Sequence, residues 1–249
     1  MKKILLNIFI LSALLNAAGG RGREIMQEHY SLPKADTMSC LAIMMLVDNK
    51  NNKKMRQLKI VEKDTADGKN SFIEFLSPAE VKGTKFLTYG YDNEDDEQRL
   101  FLPDLNKITR IKSSGKGKSF MGSDLNYYDM ETKSLDDSTY KFRSEETIKN
   151  RACYIVTIFP QDKDVPYQKM DAWVAKDNYF IYKYICYDKN GRKYKTITFS
   201  AVKKIKGVLI AARTKVHNHL DQHLTLMKMD NIKVNQAVNP AVFSIKNLK

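Results

Sequence analysis

The feature that most constrains this chain is a long succession of strand-like runs joined by short turns. The runs are Met38–Val47, Met55–Glu62, Ser71–Leu76, Thr84–Tyr89, Gln98–Leu102, Lys107–Ile111, Tyr140–Ile148, Ala152–Phe159, Lys169–Ala175, Tyr179–Tyr187, Lys193–Val202, Val208–Val216 and Leu224–Val234. They are rich in β-branched and aromatic residues, which suit a pleated, half-buried surface. Turn signals separate them at Asp48-Asn49, Asp67-Gly68, Asp188-Lys189-Asn190-Gly191 and Lys206-Gly207. Asn190-Gly191 between two such runs is a hairpin signature, because both residues accept positive φ. This pattern predicts a mainly β fold with minor α, built on one large up-and-down antiparallel sheet. Twist curls a sheet of this size into an incomplete barrel that encloses space. The only helical pattern is Gly22–Tyr30, with Ile25 and Met26 on one face and Pro33 beyond its end.

Two runs scarcely alternate. Met38–Val47 is apolar on both faces and Tyr179–Tyr187 is aromatic on both. One reading is a sheet whose convex face packs on another layer while its concave face lines a dry cavity; the plainer one is a sheet covered by protein on both sides. Met44, Met45, Met121, Met170, Met227 and Met229, with Phe86, Phe101 and Phe120, are the candidate lining, thioethers being able to repack around varied contents. The Gly/Ser-rich loop Ser113–Ser119 is the candidate mouth, where Lys112, Lys116 and Lys118 stand ready to meet phosphate.

Within Lys82–Met130 lie K-G-T-K-F-L, then R-L-F-L-P-D-L-N-K-I-T-R-I, then S-F-M-G-S-D-L-N-Y-Y-D. In this order the residues resemble the outer-membrane lipoprotein-sorting (LolA-like) family, nearest to the branch often encoded beside inner-membrane lipid exporters. The likeness covers Lys82–Asp129 strongly and elsewhere extends only to strand spacing. It implies a curved antiparallel sheet, an incomplete barrel closed by helical lid segments, and an apolar cavity for acyl chains. It brings no catalytic residue with it.

Met1-Lys2-Lys3, the apolar Ile4–Ala18 and the small residues Ala17-Ala18-Gly19-Gly20 predict a cleaved signal peptide over residues 1–20, ahead of a single domain over 21–249. As an anchor the apolar segment is too short. The chain carries 42 Lys and Arg against 29 Asp and Glu, and the leader removes only Lys2 and Lys3, leaving a surplus of 11. Such a surplus suits nucleic acid or an anionic surface. Export to the periplasm excludes nucleic acid and favours transient contact with an anionic membrane, unless the lysines merely keep a β-rich protein soluble.

Motifs for chemistry are poor. Gly117-Lys118-Ser119 lacks the first glycine and the following helix of a phosphate loop. Asp92–Glu97 lacks the turn glycine and spaced Glu of a calcium loop and reads as a solvated hairpin tip. His217, His219 and His223 offer imidazoles for zinc or copper if the chain turns at Leu220–Gln222; a polar turn without metal is the plainer reading. Cys40, Cys153 and Cys186 sit in apolar runs and read as buried thiols. Gly122, Ser123 and Asp124 shape a turn that Phe120 anchors. The reading is therefore of a non-enzymatic periplasmic carrier without a cofactor. Its cargo is lipid or acylated lipoprotein, received from an inner-membrane exporter. The alternatives are a sensor or transporter-adaptor that binds a protein partner, and a metal-dependent enzyme built on the histidines.

Overall fold

A computed structural model describes residues 20–92 and 94–249. The expected leader lies outside the described residues except for Gly20, which opens a helix, α1, over residues 20–30. Among the described residues no helix is long and apolar enough to cross a membrane.

Thirteen strands form one antiparallel sheet. They are β1 (Thr37–Val47), β2 (Lys53–Thr65), β3 (Gly68–Ser77), β4 (Lys85–Tyr89), β5 (Glu97–Leu102), β6 (Lys107–Arg110), β7 (Ser138–Ile148), β8 (Arg151–Pro160), β9 (Lys169–Ala175), β10 (Ile181–Tyr187), β11 (Lys193–Ile205), β12 (Val208–Asn218) and β13 (His223–Val234). Every expected run is present, most with ends shifted by up to three residues. At β10 the strand starts at Ile181 because Tyr179 adopts φ 53° and the Asn178 side chain accepts the Phe180 N–H at 2.9 Å. The hairpin at Asn190-Gly191 forms as predicted, with Gly191 at φ 75° and Asp188 Oδ1 accepting the Asn190 and Arg192 amides.

The spatial order departs from a simple meander. It runs β6-β5-β4-β3-β2-β1-β13-β12-β11-β10-β9-β8-β7, so the first and last strands pair at the centre. The open edges are β6, short and mostly exposed, and β7, whose outer half carries Arg143, Glu145 and Glu146. Short or charged edges resist pairing with other chains. Between them, residues 111–137 must cross from one edge to the other.

Bends come from irregularities inside the strands. Register shifts fall between Ser39 and Leu41, Gln57 and Leu58, and Phe142 and Ser144, while Ala201 and Asn231 take positive φ within β11 and β13. Each adds local twist and curvature. On the concave face the crossover residues Phe120, Leu125, Tyr127 and Tyr128 pack with Met44, Leu58, Ile60, Phe75 and Phe86. On the same side α1 covers the β7–β10 limb through Ile25 and Met26. On the convex face of β2–β5, short 3-10 turns at Pro240–Phe243 and Ile245–Leu248 bring Phe243 and Leu248 against Val61, Phe72, Leu87 and Phe101.

Contact between α1 and β7 is backbone-close. A Cβ on Gly22 would lie 2.6 Å from the Phe142 nitrogen, and Arg21 stacks 3.9 Å above the Phe142 ring. Gly22→Ala is therefore expected to push the helix off the sheet. It should cost about 1–3 kcal/mol, the usual effect of overpacking, read as a lower urea midpoint.

Candidate functional site

A cavity of about 680 Å³ lies between the concave face, the end of α1 and the crossover. Strand register grades its wall. One rung across β2–β5 is Ile60, Ile73, Phe86 and Leu100; the next toward the rim is Glu62, Ser71, Thr88 and Gln98; beyond it Asp64 faces Lys69. Side chains two apart share a face, so apolar floor gives way to hydroxyls and then to charge. The Thr88 hydroxyl lines the cavity, 1% of the residue exposed, with no hydrogen-bond partner among the described residues.

Of the expected lining, Met44, Phe120, Met170, Met227 and Met229 line this cavity. Phe86 lies just behind, its ring 5.0 Å from Phe120. Met45 and Phe101 point to the other face: Met45 sits out of phase with buried Met44, and Phe101 packs under Phe243. Met121 stands at a turn, φ 51°, with its carbonyl accepting a hydrogen bond from Arg56.

The lysine loop does not form the mouth. Lys112 and Lys118 are exposed away from the cavity, while Lys116 is buried among Asp95, Glu131 and Asp162 at 3.2–3.3 Å. Burial opposes its charge, but the three carboxylates outweigh that and hold its pKa above the usual lysine value. The actual rim carries Lys34, Lys69 and Lys133 against Glu62, Asp64, Asp92, Glu131 and Asp137. Lys133 sits 3.3 Å above the Tyr128 ring and 2.9 Å from Glu131.

The crossover is fastened at the opposite end. Phe120-Met121-Gly122-Ser123 makes a turn with positive φ at both central residues, and the Ser123 amide donates to Phe120 O at 3.0 Å. That is type I′ geometry, which a glycine in second place suits. Ser123 Oγ donates to Phe120 O at 2.7 Å and accepts the Leu125 amide. Asp124 caps no turn; it accepts from Thr225 at 2.7 Å and pairs with His223 Nδ1 at 2.8 Å. Lys195, 0% exposed, donates to Asp124 O at 2.9 Å and to Asp129 Oδ2 at 2.6 Å. Tyr167 OH completes the set on Asp129 Oδ1 at 2.6 Å, its own ionisation suppressed by burial. Sequence reading missed this network. Its signal was present: Lys195 stands two residues from Ile197 on the inward face of β11.

The histidines do not assemble. The His217 and His219 rings lie tilted with centroids 4.4 Å apart and His219 bonds Thr196, whereas His223 faces Asp124 on the other side of the hairpin. Among the described residues no His, Cys, Asp or Glu trio is placed to hold a metal. Register explains the split, since His223 sits opposite Asn218 and therefore out of phase with His217. The three cysteines are free and buried, and desolvation pushes the Cys40 thiol up to about 12.

Two measurements probe the fastening. Lys195→Met leaves Asp129 buried without its cation and is expected to cost about 3–5 kcal/mol in urea unfolding, while exposed Lys112→Ala and Lys118→Ala stay within about 0.5 kcal/mol. Asp96 holds the crossover by accepting the Thr132 and Tyr91 amides, and burial raises its pKa to about 6. The folded state thus keeps a proton that the unfolded chain releases near pH ~4, so this contribution to stability falls as pH rises from about 4 to 6. Asp96→Asn is expected to remove that slope.

No curated protein matches the sequence. Many solved structures share its fold, among them the three that follow. A domain from Vibrio parahaemolyticus assigned to outer membrane lipoprotein sorting has TM-score 0.89 and 24% identity, over 92% of this chain and 99% of that one. A DUF1329 family protein from Desulfovibrio piger has TM-score 0.89 and 26% identity, over 93% and 99%. A LolA superfamily protein from Nitrosomonas europaea has TM-score 0.72 and 17% identity, over 91% and 98%. A family model described as "Uncharacterized protein" matches residues 67–249, which takes in the crossover and all but the first two strands. The chain belongs to that family, and its fold is the LolA-like fold of the outer-membrane lipoprotein-sorting proteins.

Proposed function

We propose that the protein is an exported periplasmic carrier that shelters acyl chains of lipid or lipoprotein cargo in the concave cavity. The observation that carries this reading is the graded wall: Met44, Ile60, Ile73 and Phe120 at depth, Thr88 and Glu62 toward the opening. Its volume of about 680 Å³ falls within the usual range for small-molecule binding pockets. Driving force is ample, since an exposed chain of ~16 methylenes costs on the order of 12 kcal/mol at ~0.8 kcal/mol per methylene. Chains would lie on the methionine-lined floor, and the polar end would meet Thr88 and the Lys133 ammonium at the rim. The lipoprotein-sorting assignment of the Vibrio relative supports the same class of cargo. The basic, apolar and small-residue pattern of residues 1–20 supports export, as a cleaved leader ahead of a single domain over 21–249. Loading from an inner-membrane exporter and brief contact with anionic bilayers complete the transfer. The role proposed for this cavity is binding rather than chemistry.

Native mass spectrometry of protein purified without detergent is expected to show bound lipid. Met229→Trp fills part of the cavity and displaces about two methylenes, worth about tenfold in affinity for a long chain, while a short chain binds as before. Delipidated protein that takes up neither chain would overturn the proposal.

A further inference from the structure

The convex face at the centre of the sheet is uncovered, and its composition is unusual. Residues of β1 alternate, with Cys40, Ala42, Met44 and Leu46 buried inward and Leu41, Ile43, Met45 and Val47 turned outward. Leu41 is 44% exposed and Met55, opposite Met45 on β2, is 61% exposed. On the other side Leu226 stands opposite Met45, and Leu224 opposite Val47. The C-terminal turns that cover the convex face of β2–β5 pack on Val61, Phe72, Leu87 and Phe101, and none of these outward β1 residues belongs to that cluster.

Cations ring this stripe. Lys53 is opposite Val47, Lys59 opposite Leu41, Lys228 opposite Ile43 and Lys215 opposite Leu226, with Arg213 next to Lys228; all five are exposed. The acid opposite Leu41 on β13 is Asp230, already paired with Lys228 at 2.8 Å. Exposed apolar side chains inside a ring of cations match a surface that offers anionic phosphates with hydrocarbon just beneath them. A symmetric second copy fits poorly, because an isologous contact would set the same cations against one another. The face is also convex and without a pocket, unlike the sites that anchor a protein partner's hot-spot side chains.

We infer that the outward face of β1, β2, β12 and β13 is a docking surface for anionic phospholipid bilayers, with Leu41 and Met55 entering the interface and Lys53, Lys59 and Lys215 meeting phosphates. The inference rests on the transfer reading only in taking a bilayer as what the protein meets. The cavity lies on the opposite face, so cargo binding and docking fail separately.

Flotation with vesicles of phosphatidylglycerol and phosphatidylcholine, against phosphatidylcholine alone, tests it. The wild-type protein is expected to float with the anionic vesicles and to be released by high salt, which screens the phosphates. The variant K53E/K59E/K215E should lose at least about tenfold in vesicle affinity, and L41S/M55S several-fold with its charge intact. The charge-matched variant K112E/K118E/K149E, altered on exposed residues elsewhere, should keep most of it. Thermal unfolding confirms that each variant folds, and acyl-chain uptake without vesicles should be unchanged in all three. Equal loss in the charge-matched variant, or no flotation of the wild type, overturns the surface. So does a wild-type dimer, seen by light scattering, that L41S/M55S dissociates.

Discussion

Strands β1 and β13 come from opposite ends of the described chain, and the ladder between them sets where everything else can go. It joins two meanders, β1–β6 and β7–β13, into one wall and leaves β6 and β7 as far-apart edges. A sheet bent by bulges but not closed by hydrogen bonds has a hollow side that must be filled or roofed. Residues 111–137, the only chain segment joining those edges, run across that side and supply Phe120, Tyr127 and Tyr128.

Two kinds of force hold the roof. Aromatic packing of Phe120 on Phe75, Phe86 and Tyr127 supplies area. Lys195, Asp124 and Asp129 supply position, since buried charges tolerate few alternative arrangements. Asp124 reaches Thr225 and His223 across a hundred residues of sequence, so the turn that presents it is tied directly to the central strands. At the other end Lys116 with its three carboxylates and Asp96 with two amides hold the crossover beside the rim where the cavity opens.

Much of this was legible in the residues. Period-two patterns and turn dipeptides located all thirteen strands, and Ile25, Met26 and the following Pro33 located the helix, because these signals are local. The strand order was not, since the β1–β13 pairing is a contact between distant segments that neither pattern encodes. Met44 and Met227 stand out as adaptable thioethers, by residue type and not by phase; Met45 and Phe101 turn to the other face, which residue type could not show in strands apolar on both sides. Lys116 was misread as a solvent-facing cation because its three carboxylate partners lie in separate loops. The asymmetry between an acidic rim and a basic outer face is likewise a product of register and does not show in the net charge.

In sheet order the strands run β7 to β13 and then β1 to β6, which is a plain meander whose chain is cut in the wall, between β13 and β1, and joined across the roof. The wall is hydrogen-bonded without interruption from one edge to the other, so no ladder needs to part for the roof to shift. Wall and roof are thus built differently: a trough held by continuous backbone ladders, and a strap held to it by side chains.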